Sequence, residues 1–214
     1  MKASLLFAMV VAAAAGTAHA RVANVVSWEP IPDGDGGGFV PRSNITTVFS
    51  AMTGPFAAFP PASGSVGFDD YVSTYTDSPY MLLNSFRFVG GVDTVGGGVT
   101  FAFFNADGSF HDAFAVNLPA AGNFIWSISF ESAPGLKDSD FGIPAAGYVE
   151  MVIDAGVNGA WFLSTSLPTI GTESRDPGQG SLTTHSHRFE LNIPAPGASA
   201  LLGLGGLVAF RRRR

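Results

Sequence analysis

The chain has 214 residues, of which charged residues make up only 13%, with 27 glycines, 19 phenylalanines and 14 prolines and no cysteine. This length allows one domain with a single core, the glycine- and phenylalanine-rich mix suits many short strands joined by tight turns, and the missing cysteine excludes disulfides, thiolate metal sites and a cysteine nucleophile. The formal charge is −6, but Lys2 and Arg211–Arg214 lie at the two ends, and the stretch between them carries six basic against seventeen acidic residues, which is no footprint for nucleic acid or an anionic surface.

The first twenty residues read as a secretory signal. One basic residue, Lys2, precedes an apolar stretch from Leu5 to Gly16. Ala18-His19-Ala20 then places small side chains at Ala18 and Ala20, the two positions a signal peptidase inspects, so cleavage is expected after Ala20. The apolar stretch is too short to be read as a comfortable membrane span.

Residues 21–193 read as one β domain. Strand-like segments are Asn24–Glu29, Ile45–Ser50, Tyr80–Val89, Val99–Asn105, Phe110–Asn117, Phe124–Glu131, Tyr148–Asp154, Ala160–Ser164 and Ser181–Ile193. The period of two is plainest where Phe124, Trp126, Ile128 and Phe130 share one face and Ser127, Ser129 and Glu131 the other. Turn signals stand between them at residues 33–38, Gly90-Gly91, Asp107-Gly108, Ala120-Ala121-Gly122, Asn158-Gly159 and Asp176-Pro177-Gly178. Asp107-Gly108 and Asn158-Gly159 are predicted hairpins. No sustained 3.6-residue period occurs here, so the expected fold is an antiparallel β-sandwich, jelly-roll or immunoglobulin-like, flanked by a signal helix and a short C-terminal apolar helix.

Residues 194–214 form a three-part tail. Pro194, Ala195, Pro196 and Gly197 break the preceding strand, Ala198–Phe210 is an apolar run, and Arg211, Arg212, Arg213 and Arg214 close the chain. Thirteen helical residues span about 20 Å, short of a hydrocarbon core of about 30 Å, and the arginines would stay on the cytoplasmic side while the domain is exported.

This tail resembles the PEP-CTERM sorting domain of Gram-negative bacteria, in its planctomycete-like, glycine-rich, arginine-ended form, with Ala195 where that family carries glutamate. The resemblance covers about twenty residues. It implies export machinery and an exosortase-like protease as partners, clipping near Pro194–Gly197, transient membrane association through the apolar run, and a cell-surface or matrix destination alongside exopolysaccharide. Residues 86–92 and 118–126 are similar to exported proteins with the same kind of tail.

The chemistry-bearing groups suggest no enzyme. His185 and His187, two apart on a strand, share a face as two metal ligands would, but that face continues as Phe189, Leu191 and Ile193, which reads as a core rim. Asp33, Asp35, Asp69 and Asp70 offer oxygen ligands for calcium, yet Asp-Gly pairs are ordinary turn formers, and no cofactor is expected. A hydrolase would have to draw on His111, His185 or His187, or on a carboxylate pair from Glu131, Glu150, Glu173 and Glu190, of which Glu131 and Glu150 read as outward strand positions; no Gly-x-Ser-x-Gly elbow is present. Gly96-Gly97-Gly98 reads as a turn before a strand rather than a phosphate loop. Among the aromatics, Trp28, Trp126 and Trp161 with Tyr71, Tyr75 and Tyr80 could stack on sugar rings. Trp126 reads as core, and Trp161 with the loop Tyr71–Tyr80, represented by Tyr75, is expected to be exposed and to be the place a glycan would contact. The leading expectation is thus a structural or interaction protein of the cell surface; a carbohydrate-binding module-like domain and a surface hydrolase are the alternatives.

Overall fold

A computed structural model describes residues 21–32, 45–57, 61–130, 141–173 and 185–195. Among them are fifteen strands and no helix: β1 Arg21–Val22, β2 Asn24–Pro30, β3 Ile45–Ser50, β4 Gly64–Val72, β5 Tyr80–Leu82, β6 Ser85–Val92, β7 Gly98–Asn105, β8 Phe110–Asn117, β9 Gly122–Ser129, β10 Gly142–Pro144, β11 Ala146–Ile153, β12 Gly159–Trp161, β13 Leu163–Ser164, β14 Ser186–His187 and β15 Phe189–Pro194. The signal segment, residues 33–38, Glu131 and the chain beyond Ala195 lie outside the described residues.

Two larger sheets face one another. One runs β1-β8-β7-β11-β4 and the other β2-β9-β6-β15-β3, with β12 also on β6. The smaller ribbons β10-β5 and β13-β14 lie beside them. All the pairings are antiparallel except β1 on β8. The chain between Arg21 and Pro30 therefore serves both sheets in turn, β1 on the first and β2 on the second.

The alternating pattern explains the interior. On β7, Val99, Phe101 and Phe103 point inward; on β6, Phe86 and Phe88; on β15, Phe189, Leu191 and Ile193; all belong to one core. Rings from the two sheets interlock, with Phe86–Phe101 centroids 4.6 Å apart and Phe88–Phe101 4.9 Å. Phe124, Trp126, Ile128 and Phe130 line or abut this core as their spacing predicts, while Ile125 on the opposite face packs with Val89 and Phe162 in a second cluster. Each buried phenylalanine contributes about 2–3 kcal/mol, so a cysteine-free domain can rely on its core.

Three turn or strand readings need correction. Gly90-Gly91 is no turn but lies inside β6: a Cβ on Gly90 would sit 2.3 Å from the Ala160 carbonyl oxygen and one on Gly91 1.8 Å from that of Gly122. These glycines permit close backbone approach. Asn158-Gly159 does not close a hairpin; the chain there crosses from β11 in one sheet to β12 on β6 in the other. The strand β4, with its Asp69-Asp70 pair and two glycines, escapes the alternation test altogether. Asp107-Gly108 does join β7 to β8, with Gly108 at φ 81° and the Asp107 carboxylate accepting the Ser109 amide at 2.9 Å.

Candidate functional site

Among the described residues, a cluster of buried polar groups lies at a seam beside β6. The edge of β6 is paired by β15 up to Phe88 and by β12 from Gly90 onward, and Arg188 sits at the hand-over: its carbonyl accepts the Val89 amide at 3.0 Å, and its amide donates to Phe162 at 2.9 Å. The Arg188 side chain is wholly buried. Its guanidinium donates to the carbonyls of Ser186 (3.0 Å), Thr53 (3.3 Å), Ser164 (3.3 Å) and Ser166 (3.2 Å), tying three chain segments together. A buried cation is tolerated when its donors are met, and carbonyls at a break between strands are acceptors that would otherwise lack ladder partners.

Next to it, Trp161 donates its indole N–H to the Arg188 carbonyl at 3.2 Å and stacks on His187, the centroids 4.2 Å apart. The imidazole rests on Gly67, where a Cβ would come within 2.5 Å of the ring. Burial, and after it the charge of Arg188, pull the His187 pKa down to about 3, so the ring is neutral. Asp69, turned inward from β4, uses both carboxylate oxygens on backbone amides, Oδ1 on Asp70 at 3.1 Å and Oδ2 on His187 at 2.5 Å.

Trp161 is thus a correction: it is wholly buried, because β12 carries it into the core instead of onto a hairpin tip. Tyr75 is half-buried and packs against the same core, while Tyr80, at the end of the same loop, is exposed. Tyr71 is also inside, donating its hydroxyl to the Pro144 carbonyl at 2.9 Å, and burial raises its pKa above the ordinary phenol value. Trp126 is core, and Trp28, its neighbour on the edge strand, is half-exposed.

The remaining candidates are dispersed. Glu150 pairs in register with Phe68 and Ala102 on the outer face of the first sheet, as its outward spacing predicts. Glu190 lies on the outer face of the second sheet, accepting from Ser50 and Asn192, each at 3.1 Å, with Arg87 3.6 Å away. Glu173 accepts the Ser186 hydroxyl at 2.6 Å. His185 precedes β14 and is half-buried; His111 lies on β8. Among the described residues no three of His, Asp and Glu gather in a way that would hold a metal ion. Asp33, Asp35, Glu131, Ala18, Ala20, Pro196, Gly197 and Arg211–Arg214 fall outside the described residues, while Pro194 ends β15 and Ala195 follows it.

A different feature stands at one end of the sandwich. The ribbon β5–β10 crosses it, touching β15 of one sheet and β7 and β8 of the other. Met81 and Ile143 point into the core, whereas Tyr80 and Leu82 point out and are 50% and 51% exposed; Phe110, at the start of β8, is 52% exposed and lies edge-on to Phe104. Tyr80 lies flat on His111, centroids 5.0 Å apart and planes 14° apart, and the His111 Nε2 is 3.1 Å from the Gly142 carbonyl oxygen. Period two over Tyr80–Leu83 would have separated the inward Met81 and Leu83 from the outward Tyr80 and Leu82. Nothing local flags Phe110 or Arg188.

Comparison with family models, curated proteins and solved structures finds no match to this chain. The functional reading accordingly stands on residues and geometry alone.

Proposed function

We propose that this is an exported cell-surface or matrix protein of structural or interaction type, delivered by a cleaved signal peptide and sorted through its C-terminal tail by an exosortase-like membrane protease. One observation carries the reading. The chain carries an export signal at one end, with Lys2, the apolar run Leu5–Gly16 and Ala18-His19-Ala20, and a breaker, apolar run and basic stop at the other, with Pro194–Gly197, Ala198–Phe210 and Arg211–Arg214.

The finer fold is a jelly roll. If the eight main strands β3, β4, β6, β7, β8, β9, β11 and β15 are counted one to eight, the sheets read 1-8-3-6 and 2-7-4-5, the double Greek-key order, with β2 added beside β9. Such a scaffold hosts many functions, so the role is argued from the chain ends and surface.

The test is mass mapping of both termini in the cell-surface and culture-medium fractions of the native host. An N-terminus at Arg21 and a C-terminus between Pro194 and Gly197 are expected. Retention of Arg211–Arg214 in every fraction would overturn sorting and leave the tail as a plain anchor.

A further inference from the structure

The last strand carries the chain out of the sandwich at one pole. Across the second sheet a single row of paired residues runs Asn24, Ser129, Ser85 and Asn192. Pro194, paired with Ile45, lies two residues outside that row on the way out, whereas Arg21 pairs with Phe114 in the middle of β8. On the first sheet, β7 ends and β8 begins at this pole, because β7 returns there after the turn that follows β6 at the far end. The exposed Tyr80, Leu82 and Phe110 therefore stand at the pole from which the C-terminal segment departs.

Only Ala195, Pro196 and Gly197 separate Pro194 from the apolar run Ala198–Phe210, a reach of about 10 Å even when fully extended. If that run enters a bilayer with its arginines on the far side, this pole is held within about 10 Å of the hydrocarbon boundary. Singly exposed apolar residues need no explanation, but three beside the exit of an apolar tail do. A tyrosine with apolar neighbours also suits the interfacial zone, where amphipathic rings settle. The acidic character of the domain argues for a zwitterionic rather than an anionic surface.

We propose that this pole is a membrane-contact surface, with Tyr80, Leu82 and Phe110 seated in the interfacial layer of a zwitterionic bilayer, so that the domain stands on its ribbon end while the tail is inserted. This rests on the reading of the tail as membrane-inserted. His111 is the support that holds Tyr80 flat, and the opposite pole, with the β6–β7 turn, faces away from the membrane.

Because the chain has no cysteine, single-site labelling is clean. Full-length Asp77→Cys, at the proposed contact pole, and Val95→Cys, 68% exposed on the far turn, are each labelled with an environment-sensitive fluorophore. They are then reconstituted with phosphatidylcholine vesicles carrying a lipid-attached quencher. Quenching several-fold stronger at position 77 than at position 95 is expected. Adding Tyr80→Ser, Leu82→Ser and Phe110→Ser should bring the two sites together while the protein still floats with the vesicles. Equal quenching at the two sites in a protein that floats overturns the contact surface and leaves the tail reading standing. A position-77 label that responds to soluble polysaccharide but not to vesicles overturns it in favour of a glycan platform. Failure to float at all overturns the tail reading and this proposal together.

Discussion

The seam beside β6 and the pole beneath β5–β10 solve opposite problems. At the seam a guanidinium, an imidazole and a carboxylate are buried, each held by backbone groups or a ring; at the pole, apolar side chains stay in the open on a ribbon whose other face is core. Polar burial is costly and is kept where it organises the chain, and apolar exposure persists where burial within the molecule does not claim it. The seam therefore should govern stability, and the pole should govern contact.

The sharpest way to break that division is Arg188→Met. The substitution keeps much of the apolar stem but removes the donors that serve four carbonyls, and it should cost about 3–5 kcal/mol, the range for breaking a buried charged network. Urea unfolding followed by tryptophan fluorescence measures it, since Trp161 bonds the same residue. A loss below about 1 kcal/mol, the scale of an ordinary surface substitution, would mean that the seam is not an organising centre. Gly67→Ala probes the same place from β4. The new methyl would meet the His187 ring at 2.5 Å and Trp161 at 2.7 Å, and overpacking of this kind costs about 1–3 kcal/mol, readable as a lower urea midpoint.

The two regions were unequally legible in the sequence. The all-β class and segments such as Ile45–Ser50 and Phe110–Asn117 follow from period-two patterning, because a half-buried strand writes its two faces into alternate residues. Where both faces are buried the code fails. Gly90-Gly91 resembles a turn because the requirement met there is close approach of a neighbouring strand, and β4 hides because its inward positions include Asp69 and Gly67. Trp161 is hidden for a different reason: Asn158-Gly159 marks a change of sheet, and local pattern cannot tell that from a hairpin. The seam depends on residues distant in the chain, Thr53 with Arg188 and Asp69 with His187, and no window of sequence holds both members.

His187 adds a pH test to the comparison. In the unfolded chain its imidazole takes up a proton near pH 6.5, and in the folded chain only near pH 3. Between those values unfolding binds a proton, so stability falls as the pH drops through this window, by at most about 1.4 kcal/mol per pH unit, and is unaffected by this group above it. His187→Asn should flatten the stability profile between pH 6 and pH 5 by about that slope, whatever it costs at pH 8. Urea midpoints across that range are the measurement; an unchanged slope would show that the ring is protonated in place.

The smallest effect on stability belongs to the pole, and its smallness is the point. Tyr80→Ser and Leu82→Ser remove side chains that are about half exposed and face away from the core, so each should move the folding free energy by no more than about 0.5 kcal/mol. His111→Ala should do the same while freeing the Tyr80 ring from its flat stack. If either serine variant costs several times that amount, the ribbon's outer face is structural and its exposure has a packing explanation. If stability holds while vesicle contact is lost, the residues are kept outside for a partner. A fold that dispenses with Tyr80 and Leu82 thermodynamically, yet sets them beside the C-terminal exit, would keep that surface for the membrane contact proposed above.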